Sequence, residues 1–308
     1  MRGYVAPTTE DWYRALHRRA PLDEVNFWTP SGTVPKSLRE GDPFFFKLKK
    51  PHNAIAGWGT FAGATKLPDW LAWDSFGVAN GVASYEELRQ RLESLRRGWG
   101  ADARGPIDVG CIMLVEPVFF DEEEWVRQPE DWKKTTVRGK TYDLTIGEGR
   151  RVYLECLQRG AVRAGAIPLI DPADPARWGR ERIVRPRLGQ GTFRVAVTEA
   201  YERACAVTTE HSLPVLEAAH IQPFARGGSH DVSNGLLLRT DIHRLFDRGY
   251  VTVTPEREFV VSRRLREDYE NGRAYYEMHG RSVVVPRDVE RRPSRELLAW
   301  HNEEVFLG

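Results

Sequence analysis

The sequence predicts an α+β chain of two domains: a small mixed β-barrel or sheet with helices, followed by a compact strand–strand–helix unit. Three observations predict it. Short apolar strands broken by Gly and Pro turns alternate with capped helices over the first 170 or so residues. A segment rich in proline, glycine and charge, residues 171–179, then interrupts the pattern. Beyond it, a short apolar strand ends at His220, and a second strand leads into a helix carrying His243. A chain of 308 residues is long for one core and comfortable for two. The expected boundaries are residues 1–170, a linker at 171–184, and residues 185–308.

The first helix is expected over residues 9–16, with Thr8 or Thr9 as its cap. Gly41-Asp42-Pro43 turns the chain into Phe44-Phe45-Phe46-Lys47-Leu48, an apolar run that reads as a buried strand. Residues 54–62 read as its neighbour, and Gly57 and Gly59 inside it signal a bulge or a close backbone approach. The clearest helix is 84–97. Ser84 caps it, Glu87 completes a capping box, and Leu88, Leu92 and Leu95 share one face. Residues 109–115 and 118–120 are read as two further strands. Helices are expected over 190–205 and 294–305, and another begins near Thr240, capped by Thr240 or Asp241.

Composition excludes several classes. With 41% hydrophobic and 29% charged residues, the chain has enough apolar surface to fold. No apolar run approaches the ~20 residues of a membrane span, and residues 1–10 lack the basic and apolar regions of a signal peptide. Cys111, Cys156 and Cys205 are odd in number and far apart, which suggests neither a disulfide framework nor a zinc site. A reducing cytoplasm is the expected compartment. The net charge of +1 does not by itself announce a nucleic-acid binder. Every lysine lies at or before Lys140, whereas from Ala176 onward 21 arginines face 19 acidic residues. Arginine is the better bidentate phosphate donor, although GC-rich coding produces the same bias.

The chemistry concentrates between Leu216 and Gly249. His243 and Asp247 are four residues apart on the last helix of this segment, so both project from one face and can hold a divalent cation. His220 can face them from the strand. Together these groups suit phosphodiester hydrolysis, with a cation on the phosphate and His220 activating water. Asn234 would hold the loop or orient that base. His230 reads as a loop residue, and His211 and His279 as incidental. His301 either touches phosphate or simply packs.

These residues, Ala218-Ala219-His220-Ile221 with Pro223, Gly227-Gly228, Ser233-Asn234-Gly235-Leu236-Leu237-Leu238 and His243-Arg244-Leu245-Phe246-Asp247-Arg248-Gly249, resemble the HNH (ββα-metal) endonuclease family, in the branch lacking zinc-binding cysteines. The flanks from Arg185 to Arg194, at Cys205-Ala206-Val207-Thr208 and at Trp300-His301-Asn302 also resemble restriction-type members, so the likeness covers about residues 185–306. It implies catalysis by His220, Asn234 and His243 with Mg²⁺ or Mn²⁺, and with Ni²⁺, Co²⁺ or Zn²⁺ as further candidates. Many relatives place a metal-binding aspartate where this chain has Ala219. Glu217 has the same strand parity and is the candidate substitute beside His243 and Asp247. Arg226, Arg244, Lys47 and Lys49 are candidates for the DNA backbone.

Eight of the ten tryptophans lie in the first region. Trp12, Trp99 and Trp132 read as core, whereas Trp28, Trp70 and Trp73 sit beside turn signals, where flat aromatic faces could hold a flipped base. Asn26-x-Trp28, Gly41-Asp42-Pro43-Phe44-Phe45-Phe46 and Ile55-x-Gly57-Trp58-Gly59-x-Phe61 resemble the start of the PUA-like superfamily, especially its EVE and YTH branches. The resemblance implies a small barrel holding a modified base in an aromatic pocket. Trp28 and Trp73 would form the cage, Asn26 would read the base edge, and Tyr142 with Asp143 form a second candidate pair.

The expected function is that of a modification-dependent restriction endonuclease. It would flip a modified cytosine (5-methyl or 5-hydroxymethyl) out of double-stranded DNA, such as phage DNA, and cut nearby, as a homodimer. Two alternatives stay open: an HNH nuclease whose first domain reads unmodified DNA or RNA, and a non-catalytic nucleic-acid-binding protein with a degenerate HNH fold.

Overall fold

The structure is a computed structural model and describes residues 1–35, 37–97, 105–163 and 188–308. The linker expected at 171–184, Trp99, Trp178 and residues 185–187 of the upstream flank lie outside the described residues. The chain divides into two compact units, Met1–Leu188 and Gly189–Gly308. Among the described residues, no helix is long and apolar enough to cross a membrane.

The first unit is built on one seven-stranded mixed sheet. Its elements in chain order are β1 (Arg2–Thr8), α1 (Glu10–His17), β2 (Glu24–Thr29), β3 (Pro43–Leu48), β4 (Ala54–Pro68), α2 (Asp69–Phe76), α3 (Tyr85–Arg97), β5 (Asp108–Phe119), β6 (Val126–Arg127), β7 (Lys140–Asp143) and α4 (Gly147–Arg163). The strand order is β2-β5-β4-β3-β1-β7, with β6 on β4. β1 runs parallel to β3, and the other pairs are antiparallel. Side chains alternate across a strand, and β3 is buried at all six positions. Phe44 and Phe46 join Trp12, Tyr13 and Leu16 of α1 in one core cluster. Phe45 joins Val152 and Cys156 of α4 in another. The triple phenylalanine therefore serves both faces, each ring contributing about 1.5–3 kcal/mol on burial.

Local chemistry explains the element ends. Thr9 caps α1 by accepting from Trp12 N. Ser84 Oγ accepts from Glu87 N at 3.2 Å, and the Glu87 carboxylate turns back to Ala83 N at 2.7 Å, one residue before the cap. Leu88 and Leu92 are fully buried, but Leu95 is 47% exposed, so the apolar stripe ends a turn before the helix. Gly57 marks a close approach, because a Cβ there would stand 2.2 Å from the Val118 carbonyl oxygen. The two strands expected at 109–115 and 118–120 are one, β5, which runs through Glu116 at φ 51°. The bend lets one strand pair along most of β4 across two register shifts.

The second unit contains α5 (Gln190–Ala200), β8 (Leu216–His220), β9 (Gly235–Arg239), α6 (Thr240–Asp247), β10 (Val251–Val253), β11 (Phe259–Val261), α7 (Arg264–Tyr269), α8 (Arg273–Tyr276) and α9 (Arg295–Glu304). α5 is shorter than expected, because Glu202 and Arg203 adopt positive φ just beyond it. β8 and β9 form an antiparallel hairpin that sets His220 opposite Gly235 and Glu217 opposite Leu238. One core gathers Phe193 and Val197 of α5, Leu236, Leu237 and Leu238 of β9, Ile242 and Phe246 of α6, and Leu298 of α9. Neither Thr240 nor Asp241 caps α6. Arg239 occupies the cap position without a side-chain bond, Thr240 donates to the Val215 carbonyl, and Asp241 pairs with Arg239.

Candidate active site and candidate base pocket

The β8–β9 hairpin and α6 bring Glu217, His220, His243 and Asp247 into one neighbourhood. His243 lies in the second turn of α6 with both ring nitrogens facing carboxylates. Nδ1 is 2.7 Å from Glu217 Oε2, and Nε2 is 3.4 Å from Asp247 Oδ2. A carboxylate can only accept, so Nδ1 carries the proton toward Glu217. In the neutral ring, Nε2 then turns its lone pair on another acceptor, Asp247. With the proton on Nδ1 alone, the Nε2 lone pair and the Asp247 carboxylate would be two acceptors placed so that both could reach one divalent ion at about 2.0–2.2 Å.

The donor set therefore fits a divalent cation with two protein ligands and open positions. Among the described residues no group of three metal-ligating side chains is placed to hold an ion. This agrees with Glu217 lying on the far side of the ring from Nε2. Glu217 meets Nδ1 of His243, where its carboxylate is placed to orient the ring.

His220 ends β8 with its ring stacked on Phe193, centroids 3.9 Å apart and planes 15° from parallel. Burial pushes it down to about 4. It is therefore neutral at pH 7 and able to accept a proton. Its Nε2 is 2.9 Å from His230 Nδ1, and the His230 ring lies parallel to Phe224 with centroids 4.8 Å apart.

Asn234 is fully buried. Its amide donates to the carbonyls of Gln222 (2.9 Å) and Ser229 (2.8 Å) and accepts from Gln222 N (2.9 Å). Both hydrogens are used, so Asn234 is the staple of the 222–229 loop, and its amide is spent on Gln222 and Ser229. Gly228 belongs to the same device, since a Cβ there would meet the Gln222 oxygen at 1.9 Å. Ala219 is fully buried in the hairpin core. Arg226 and Arg244 are exposed, Arg226 lying 6.0 Å from the Trp300 ring. His301 is core: it stacks on Phe246 and bonds Thr252 Oγ1 and the Phe246 carbonyl, which removes it from any phosphate role.

The C-terminal unit carries an HNH endonuclease domain. Residues 205–254 match the family model described as HNH endonuclease, a stretch that holds the whole His220–Asn234–His243 constellation. Among solved structures, the chain is similar to an ASCH protein from Zymomonas mobilis, at 9% identity over 49% of this chain and 94% of that one, with a TM-score of 0.34. It is also similar to the modification-dependent TagI restriction endonuclease, at 14% identity over 92% of this chain and 75% of that one, with a TM-score of 0.29. No curated protein matches the chain significantly. Two further residues that sequence reasoning did not place in the site, His230 and Phe193, contact the His220 ring. A second histidine inside the hairpin loop was the available signal.

In the first unit, Asn26 and Trp28 of β2 meet the segment after α2 through Asn80. Asn26 Nδ2 donates to Asn80 Oδ1 (2.8 Å) and Cys111 Sγ, and Trp28 Nε1 donates to the Asn80 carbonyl (2.9 Å). Asn80 Nδ2 in turn holds the carbonyls of Ala72 and Gly77, flanking Trp73. Asn80, which the sequence reading did not single out, is therefore the hub that brings β2 and α2 together. Trp28 and Trp73 are half-buried, and Asn26 is fully buried, its Oδ1 having no hydrogen-bond partner among the described residues.

The second candidate pair lies elsewhere. Tyr142 and Asp143 are on β7, at the opposite end of the strand order from β2. Tyr142 is buried and donates to Asp131, and Asp143 accepts from Thr145. They do not join the Trp28 group. Lys47 is also corrected: it is 3% exposed, bonds the Leu48 carbonyl and lies over Trp132, because its strand is buried on both faces. Burial lowers its pKa. Lys49 is exposed.

Proposed function

We propose that the chain is a metal-dependent endonuclease that cuts double-stranded DNA carrying modified cytosine, with the first unit reading the base and the HNH domain hydrolysing nearby phosphodiesters. The observation that carries the nuclease reading is His243, held by Glu217 on one nitrogen and facing Asp247 with the other, near a neutral His220. His243 Nε2 and Asp247 would hold the ion. A bound divalent cation, Mg²⁺ or Mn²⁺ as the family resemblance implies, would supply charge stabilisation at the phosphate and the leaving oxygen. His220 accepts a proton from the attacking water. Asn234 keeps the loop in place, and exposed Arg226 and Arg244 would meet backbone phosphates.

The modified-base reading is supported by the free Oδ1 of Asn26 beside Trp28 and the Trp73 segment. An acceptor aimed at an exocyclic amino group, with flat aromatic walls, suits a flipped cytosine. Cutting both strands needs two active sites or two visits, so the working form is a homodimer on this reading.

The test is digestion of matched duplexes carrying cytosine, 5-methylcytosine, 5-hydroxymethylcytosine or glucosylated 5-hydroxymethylcytosine, with Mg²⁺ or Mn²⁺. Native protein should cut at least one modified substrate in preference to plain DNA, and His220→Ala should not cut. Equal cutting of all four would remove the modified-base reading. No cutting of any would remove the nuclease reading.

A further inference from the structure

We infer that His230 is a positioning residue that sets the tautomer of His220, accepting its Nε2–H so that Nδ1 is the atom that takes the proton from water. This rests on the nuclease reading above. The geometry comes from three contacts. His220 Nε2 and His230 Nδ1 are 2.9 Å apart, a distance that admits one proton between two nitrogens. Phe193 stacks on His220 and Phe224 on His230 at 2° between planes, so both rings are held against rotation. Among the described residues, nothing hydrogen-bonds the Nδ1 of His220, whereas its Nε2 is taken.

A neutral imidazole has one donor and one acceptor nitrogen, so the two rings can share the proton in only two ways. If His230 Nδ1–H donated, His220 would be left with its proton on Nδ1 and its lone pair buried against His230, and no acceptor would remain for water. With His220 donating from Nε2, its Nδ1 lone pair is available and His230 carries its own proton on Nε2. When His220 takes a proton at Nδ1, it becomes a cation whose Nε2–H still points at a neutral acceptor. His230 therefore stabilises the protonated base, and the proton later returns through Nδ1.

Phe224 is 66% exposed although it is a large apolar ring. On this reading its exposed position follows from its work on the inner face, which clamps His230.

The test has two arms. Long-range ¹H–¹⁵N spectra of the native, metal-free protein at pH 7 should show both His220 and His230 protonated on Nε2. A His220 protonated on Nδ1 overturns the proposal whatever the activity. In the second arm, His230→Ala should lower kcat about tenfold or more with KM changed less than about twofold, since general base catalysis contributes about 10²–10⁴. His230→Asn, whose Oδ1 can accept in place of Nδ1, should recover most of the loss. Failure of His230→Asn to rescue while it remains folded, or full activity of His230→Ala, also overturns it. A native protein that cuts nothing would defeat the nuclease reading alone and leave the spectroscopic arm decisive.

Discussion

The Glu217 carboxylate and the His243 ring are joined at Nδ1 over 2.7 Å, across 26 residues of chain, with Asp247 at the opposite nitrogen. On the proposed reading, one carboxylate would orient the ring and the other would share the ion. Removing such an orienting partner costs about 10–100-fold in metal affinity. Glu217→Ala should weaken Mn²⁺ binding by that amount, and Glu217→Gln, whose amide oxygen still accepts from Nδ1–H, should weaken it much less. Asp247→Ala should lose binding outright. Calorimetric titration separates these outcomes, and a Gln variant as damaged as the Ala variant would return Glu217 to the ligand set.

Asn234 should prove a stability residue. Asn234→Ala strands the Gln222 N–H and the carbonyls of Gln222 and Ser229 in a buried loop. The loss should be about 2–4 kcal/mol, read in urea as an earlier transition of the C-terminal unit. A variant of native stability that had still lost all cleavage would instead make Asn234 a direct participant.

Trp28 and Trp73 should matter for binding, and Tyr142 should not. Stacking is worth about 1–3 kcal/mol per base, so Trp28→Ala or Trp73→Ala should weaken binding of a preferred modified duplex by about 5–150-fold while leaving affinity for plain duplex nearly unchanged. Tyr142→Phe, at the far end of the sheet order, should bind like the native chain. Fluorescence anisotropy on paired duplexes measures all three. A loss for Tyr142→Phe equal to that for Trp28→Ala would count against a pocket at β2.

Acid should destabilise the second unit in a predictable window. Burial pushes His301 from its ordinary 6.5 down to about 4, so the unfolded chain takes up a proton that the folded chain resists. The stabilisation is complete above about pH 6.5 and is lost as pH falls toward 4. The melting temperature of the native protein should fall across that interval. His301→Gln, which cannot titrate, should show a shallower fall, the remainder coming from His220, which is depressed in the same direction. An identical slope in the two proteins would remove His301 from the account.

Much was legible in the sequence because it depends on neighbours along the chain. The hairpin and helix around His220 and His243 follow from apolar period, a Gly-Gly turn and an Asn-Gly pair. Ser84, Thr9 and Ser294 announce helix starts because a short side chain reaches the free N–H groups two or three residues on. The i,i+4 spacing placed Asp247 beside His243 before any fold was known. The double burial of β3 could be read from three consecutive phenylalanines, although its consequence for Lys47 was missed.

What the sequence by itself determined, then, is the α+β character, the HNH spacing and the residue types a hydrolytic site would need. Only the tertiary structure decided which atom each residue presents. Glu217 meets Nδ1 of His243, because strand pairing sets β8 beside α6. Asn234 spends its amide on the loop, His230 closes on His220, and Asn80 ties Trp28 to the Trp73 segment. Each of these is a contact between residues that periodicity cannot relate. Hydrogen-bond direction and desolvation, which turn a histidine into a base, a ligand or a core residue, exist only once the chain has closed around it.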